Sequence, residues 1–162
     1  MRLRIAFRKI SGERHALEIA RDDGSHEQVE CETRSYLLHD FLHYAVESEA
    51  GIDYGFWGNL ARGKTLDDMN DRTGAAMIAE RAEMGAVEQV VGALHGSTKG
   101  ISAAELVSGM RRFAEALQTT MPDWLTEEFV AAVQERLRRL VGHWKATPYG
   151  GRMELAWPAA KV

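Results

Sequence analysis

Leu3, Ile5 and Phe7 alternate with Arg2, Arg4, Ala6 and Arg8, setting one apolar face against one mostly basic face. A period of two marks a half-buried strand. The alternation resumes at Leu17 and Ile19 after a turn around Ser11 and Gly12, and at Val29 and Cys31 after Asp22, Asp23, Gly24 and Ser25. These segments predict a small antiparallel meander. Its outward positions carry Arg2, Arg4 and Arg8 on one strand and Glu18, Glu30 and Glu32 on the others, which predicts cross-strand ion pairs.

From Ser35 the period becomes helical. Leu37, Leu38, Phe41, Leu42 and Ala45 recur at helical spacing, with His39, Asp40, His43 and Glu47 opposite them, and Gly51 predicts the stop. The following GIDYGFWGNLARGKT reads as a loop or a short helix between glycines. Thr65 and Asp68 resemble a capping box that opens a long helix, with Met69, Met77, Met84, Val87, Val91 and Leu94 inward and weak points at Gly74 and Gly85. Ser102 and Glu105 form a second box, before a stripe of Leu106, Met110, Phe113, Leu117 and Met121. Beyond Pro122, Leu125, Phe129, Val133, Leu137, Leu140 and Trp144 predict a last helix. Met153, Leu155 and Trp157 then alternate as a strand able to rejoin the first. With no internal repeat or break in composition, residues 1–162 are expected to form a single α+β domain. Its small antiparallel sheet, N-terminal strands plus a C-terminal strand, packs on a layer of about four helices.

Composition narrows the partners. A chain of 162 residues, 45% hydrophobic and 27% charged, is an ordinary globular mixture, large enough for a core without staples. A net charge of -4 supplies no field to draw nucleic acid or an anionic membrane, so neither is an expected partner. No apolar run approaches the roughly 20 residues that cross a bilayer. The single cysteine, Cys31, cannot form an intrachain disulfide and reads as a buried free thiol in a reducing cytoplasm. A homo-oligomer enters only because closed dimers are the commonest assemblies.

The segment LLHDFLHYAVE carries the chemistry. His39 and His43 stand one helical turn apart, about 6 Å along the axis, so both imidazoles can reach one ion, as in the HExxH zinc motif. Glu47 lies two turns from His39, roughly 12 Å along the axis, too far to share that ion comfortably. A metal therefore needs a donor from elsewhere, and Asp67, Asp68, Asp71, Glu80, Glu83 and His95 are the candidates. Asp40 is a further ligand or an orienting group, and Asp40 or Glu47 could serve in acid–base catalysis. The competing structural reading makes these residues the wet side of the helix, with Asp40 and His43 paired at three-residue spacing.

HDxxH, here His39, Asp40 and His43, resembles the motif of a ubiquinone-biosynthesis protein family, in which a glutamate follows after eleven residues and the set is read as a zinc site. In this chain that later position is Gly55. The resemblance is confined to the motif, since that family is mostly helical and this chain opens with strands. The longer stretch from His39 to Gly63 looks like one of the uncharacterised bacterial families, a likeness that implies no activity.

DDMND, Asp67 to Asp71, matches a bare magnesium motif but lies where acidic residues meet a helix N-terminus, and capping accounts for it. Tyr54, Phe56 and Trp57 are candidates for the floor of a ligand pocket, or for a plug between sheet and helices. Together these features predict a small cytoplasmic protein with a site for a divalent metal such as zinc, or an acid–base site, on the histidine helix. Hydrolysis or a lyase step suits such a site. The alternative is a noncatalytic protein that acts through self-association or a protein partner.

Overall fold

The strands expected from the alternation are β1 (Leu3–Lys9), β2 (Arg14–Arg21), β3 (His26–Glu32) and, from the far end of the chain, β4 (Arg152–Trp157). They form one antiparallel sheet in the order β3-β2-β1-β4, in a computed structural model that describes residues 1–70 and 81–159. Register follows the apolar pattern. Ile5 pairs with Ile19 and Leu155, and Phe7 with Leu17 and Met153, so one face of every strand turns to the core. On the opposite face one of the expected pairs forms, Arg8 donating to Glu18 at 2.9 Å; Glu18 also accepts from Arg152 of β4 at 2.9 Å, and Glu30 is met by Arg14 of β2 at 2.5 Å.

The helices among the described residues are α1 (Thr33–Ala50), α2 (Phe56–Ala61), α3 (Leu66–Asn70), α4 (Arg81–Leu94), α5 (Ala103–Leu117) and α6 (Glu127–Ala146), with a 3-10 segment at His95–Lys99. The molecule is an α+β fold with its sheet against a helical layer. Both capping boxes form: Thr65 and Asp68 exchange hydrogen bonds at 2.9 and 3.0 Å, and Ser102 and Glu105 do so at 3.2 Å. The DDMND carboxylates Asp67 and Asp68 thus lie in the first turn of α3, while Asp71 is outside the described residues. Among the described residues, no helix is long and apolar enough to cross a membrane.

Of the long helix expected after Thr65, the described parts, α3 and α4, are helical, and α4 runs through Gly85 without a break; Gly74 and Met77 lie outside the described residues. On α5 the inward residues are Leu106, Val107 and Ala114, whereas Phe113 and Leu117 are 60% and 53% exposed. Both sets recur at helical spacing from the same starting point, so packing against α4 and α6 selects the face.

Helix α1 is the centre of the domain. Asp40 through Glu47 are all buried, because the sheet, α4, α6 and α2 contact different sides of the helix. Trp57 of α2 is completely buried beneath β1, with its ring edge-on to Phe7 and Tyr44 at 6.2 and 6.4 Å. Arg21 anchors the chain after α2: it donates to the carbonyls of Leu60 and Lys64, both at 2.7 Å, and pairs with Glu27 at 2.6 Å.

His15 lies on the core side of β2 between Phe7 and Trp144, with Nδ1 2.9 Å from the Thr33 hydroxyl and Nε2 buried without a partner among the described residues. Burial, and then the charge of Arg14, lowers its pKa to about 4. The folded protein therefore resists a proton that the unfolded chain accepts near the ordinary value of 6.5. Stability contributed by neutral His15 is present above that value and is lost as pH falls from 6.5 towards about 4. Urea denaturation across this window should show a shallower acid-side decline for His15→Gln than for the parent.

Candidate metal centre

The middle of α1 is buried, so polar residues there need partners other than bulk water. His43 is 2% exposed, Glu47 0% and Asp40 8%, which removes the solvated reading for these three, while the His39 side chain keeps 31% of its surface. The Asp40–His43 pairing of the competing reading does not form a hydrogen bond; Nδ1 of His43 instead donates to Oε2 of Glu47, one turn further on, at 3.0 Å. The same carboxylate accepts from the backbone N–H groups of Phe56 and Trp57, each at 2.9 Å. Glu47 thereby satisfies the first turn of α2 and fixes the His43 tautomer, leaving Nε2 to face outward from the pair.

Around that nitrogen the remaining donors gather. Nε2 of His43 stands 3.2 Å from Nε2 of His39 and 3.0 Å from Oε1 of Glu88 on α4, and Nε2 of His39 is 3.7 Å from Oε2 of Glu88. Ligands about 2.0–2.1 Å from a zinc ion at tetrahedral angles are separated by about 3.3 Å. The three spacings bracket that value. On the far side of His39, Nδ1 lies 3.3 Å from Nε2 of His95, with the two rings stacked. His95 thus orients His39 from behind instead of pointing at the common centre.

The charges suit a cation. Burial lowers the pKa of His43, but its hydrogen bonds to Glu47 and Glu88 and their negative charges outweigh this and raise it to about 10. A bound divalent ion would take the place of that proton. His95 is held below the ordinary histidine range by burial and by the charge of His43. Burial, partly offset by His43 and reinforced by Glu88, raises Asp40 to about 7.

The centre opens on a cavity of about 560 Å³ between β3, α1 and α4. Asp40 lines it, beside His39, His43, Glu88 and Cys31. Half-buried Cys31 has its thiol pushed up to about 11 by burial and by the charge of Asp40, which leaves it a poor nucleophile. Of the three aromatics expected to floor a pocket, Phe56 lines the cavity. Trp57 fills the core, its indole donating to the Asp40 carbonyl at 3.3 Å, and the Tyr54 hydroxyl accepts from Trp124 at 3.4 Å.

The histidine helix thus supplies the expected pair, and Asp40 lies on the cavity wall outside the close triad. The remote carboxylate is Glu88, which the spacing did not single out. Among the candidates for it, Asp68 is engaged in capping, Glu83 is exposed, and Asp71 and Glu80 lie outside the described residues. In the sequence Glu88 is marked only by following Met84 by one turn and Val87 by one residue, at the border of an apolar stripe. Which turn of α4 meets His43 is a property of how the two helices cross. Position 55, where the resembling motif has glutamate, is the N-cap of α2, and any β-carbon there would fall on the carboxyl group of Glu47.

No family model, curated protein or solved structure matches the chain.

Gly55→Ala should destabilise the fold by roughly 1–3 kcal/mol, the cost of overpacking a fixed neighbour. Gly109→Ala, where an added methyl meets nothing within 4 Å on α5, should instead be neutral or stabilising. Urea titration of the two variants checks the contrast in sign.

Proposed function

We propose that the protein binds a divalent metal ion, zinc above all, through His39, His43 and Glu88, and uses it in hydrolysis or a lyase step on a small molecule. The observation that carries this reading is the convergence of Nε2 of both histidines and the Glu88 carboxylate within 4.8 Å of one another. Two histidines and one glutamate form a donor set of catalytic zinc sites, which keep another position for water or substrate. The cavity beside the triad offers room for both. An ion there would activate water or polarise a carbonyl.

The surroundings support the same reading. Glu47 behind His43 forms the carboxylate–histidine arrangement that orients a ligand and raises its basicity. Asp40 follows the first histidine directly, at the place that the general base holds in HExxH, and lines the cavity. The alternative, self-association through an apolar surface, draws on one observation, the exposed Phe113 and Leu117 one turn apart on α5.

Protein purified without chelator should carry near-stoichiometric zinc, iron or manganese by elemental analysis, and His39→Ala/His43→Ala and Glu88→Gln should lose it. A parent free of metal that also fails to take up zinc on titration would overturn the proposal. Glu47→Gln should stay able to bind but weaken zinc affinity about 10- to 100-fold, the usual effect of removing an orienting partner. Competition against a chromophoric chelator measures the difference.

A further inference from the structure

Asp40 is 8% exposed and lines the cavity, and no described residue donates a hydrogen bond to its carboxyl oxygens, which open onto the cavity. Buried carboxyl groups ordinarily find donors, so an unpartnered one aimed into a cavity identifies where a ligand's donor belongs. Neighbouring polar groups are engaged elsewhere. Arg14 is tied to Glu30 at 2.5 Å, Ser35 donates to Glu32 at 2.9 Å, and His43 is held between Glu47 and Glu88. Aliphatic and thioether surface from Leu17, Val29, Leu66, Met69 and Met84, with the ring of Phe56, forms one part of the wall, and Cys31, Tyr36 and His39 add polar groups to it.

Charge selects the kind of donor. Glu30, Glu32, Asp40 and Glu88 all line the cavity, and Arg14 is the one lysine or arginine among the described lining residues. Such a wall favours a cation and repels an anion. We infer that the cavity is a binding site for a small apolar amine, its ammonium group donating to the Asp40 carboxylate and its hydrocarbon body lying on the Leu17, Val29 and Met84 side. A charge-assisted hydrogen bond in a site with apolar walls combines orientation with affinity.

This assignment deepens the metal-site reading and rests on it only for the reaction. With an ion at the triad, the substrate is an N-acyl derivative of such an amine. Water oxygen bonds to the acyl carbon, and the carbon–nitrogen bond breaks with its electron pair passing to nitrogen. Both water protons end on the nitrogen, giving a carboxylate and an ammonium ion. Asp40 is placed to receive the latter.

Binding can be tested apart from the metal. Hexylammonium chloride, hexan-1-ol and sodium hexanoate are titrated separately into isotopically labelled, chelator-treated protein, and the amide signals of Val29, Cys31, Phe56 and Gly85 are followed by NMR. Hexylammonium should shift them saturably, with at least about tenfold tighter binding than hexanol and none by hexanoate. Asp40→Asn, nearly isosteric, should weaken the amine at least about tenfold while leaving the hexanol response in place. Equal binding of the three probes, an amine affinity unchanged in Asp40→Asn, or no saturable shift with hexylammonium would each overturn the inference. Those failures leave the metal proposal standing if elemental analysis finds the ion; conversely, an absent ion with intact amine binding removes only the reaction.

Discussion

A carboxylate with no exposure at all must have every strong interaction supplied by the protein, and Glu47 is such a group. Its three donors come from two elements: the imidazole of His43 one turn earlier on α1, and two backbone N–H groups that begin α2. Each tie has a structural consequence. The first holds the His43 ring so that Nε2 faces His39 and Glu88. The others seat α2 against α1, which puts Trp57 under the sheet and leaves Gly55 without room for a side chain. Core and candidate site are therefore set by one group.

Much of the architecture was legible because short-range rules determine it. The alternation at Leu3, Ile5 and Phe7 places β1 and its inward face, and the same rule returns Met153 and Trp157 to the edge of the sheet. Thr65–Asp68 and Ser102–Glu105 mark helix starts by chemistry within a single turn. The histidine pair is equally local, since His39 and His43 meet through helix pitch alone.

What escaped the sequence depends on contacts between elements. Leu106, Met110, Phe113 and Leu117 are as well spaced as Leu106, Val107 and Ala114, yet Phe113 and Leu117 face outward. Glu88 is selected by the crossing of α1 and α4, and the sequence contains no measure of that crossing. Glu47 lies outside the His39, His43 and Glu88 group, and its use as the partner of His43 needs α2 to fold back onto it. The wet-face reading misses Asp40, His43 and Glu47 for a related reason: the middle of α1 is enclosed on several sides, so these three are withdrawn from bulk water.

The candidate centre joins two parts of the chain with different ranges. His39, His43, Glu47 and the start of α2 belong to one short stretch, while Glu88 arrives from α4. An ion engaging both would close the intervening chain into a loop, and the energy that holds the ion would also hold α4 in its dock. By linkage, whatever loosens that dock would loosen the ion to the same extent, so metal affinity and the local opening of α4 would be two readings of a single equilibrium.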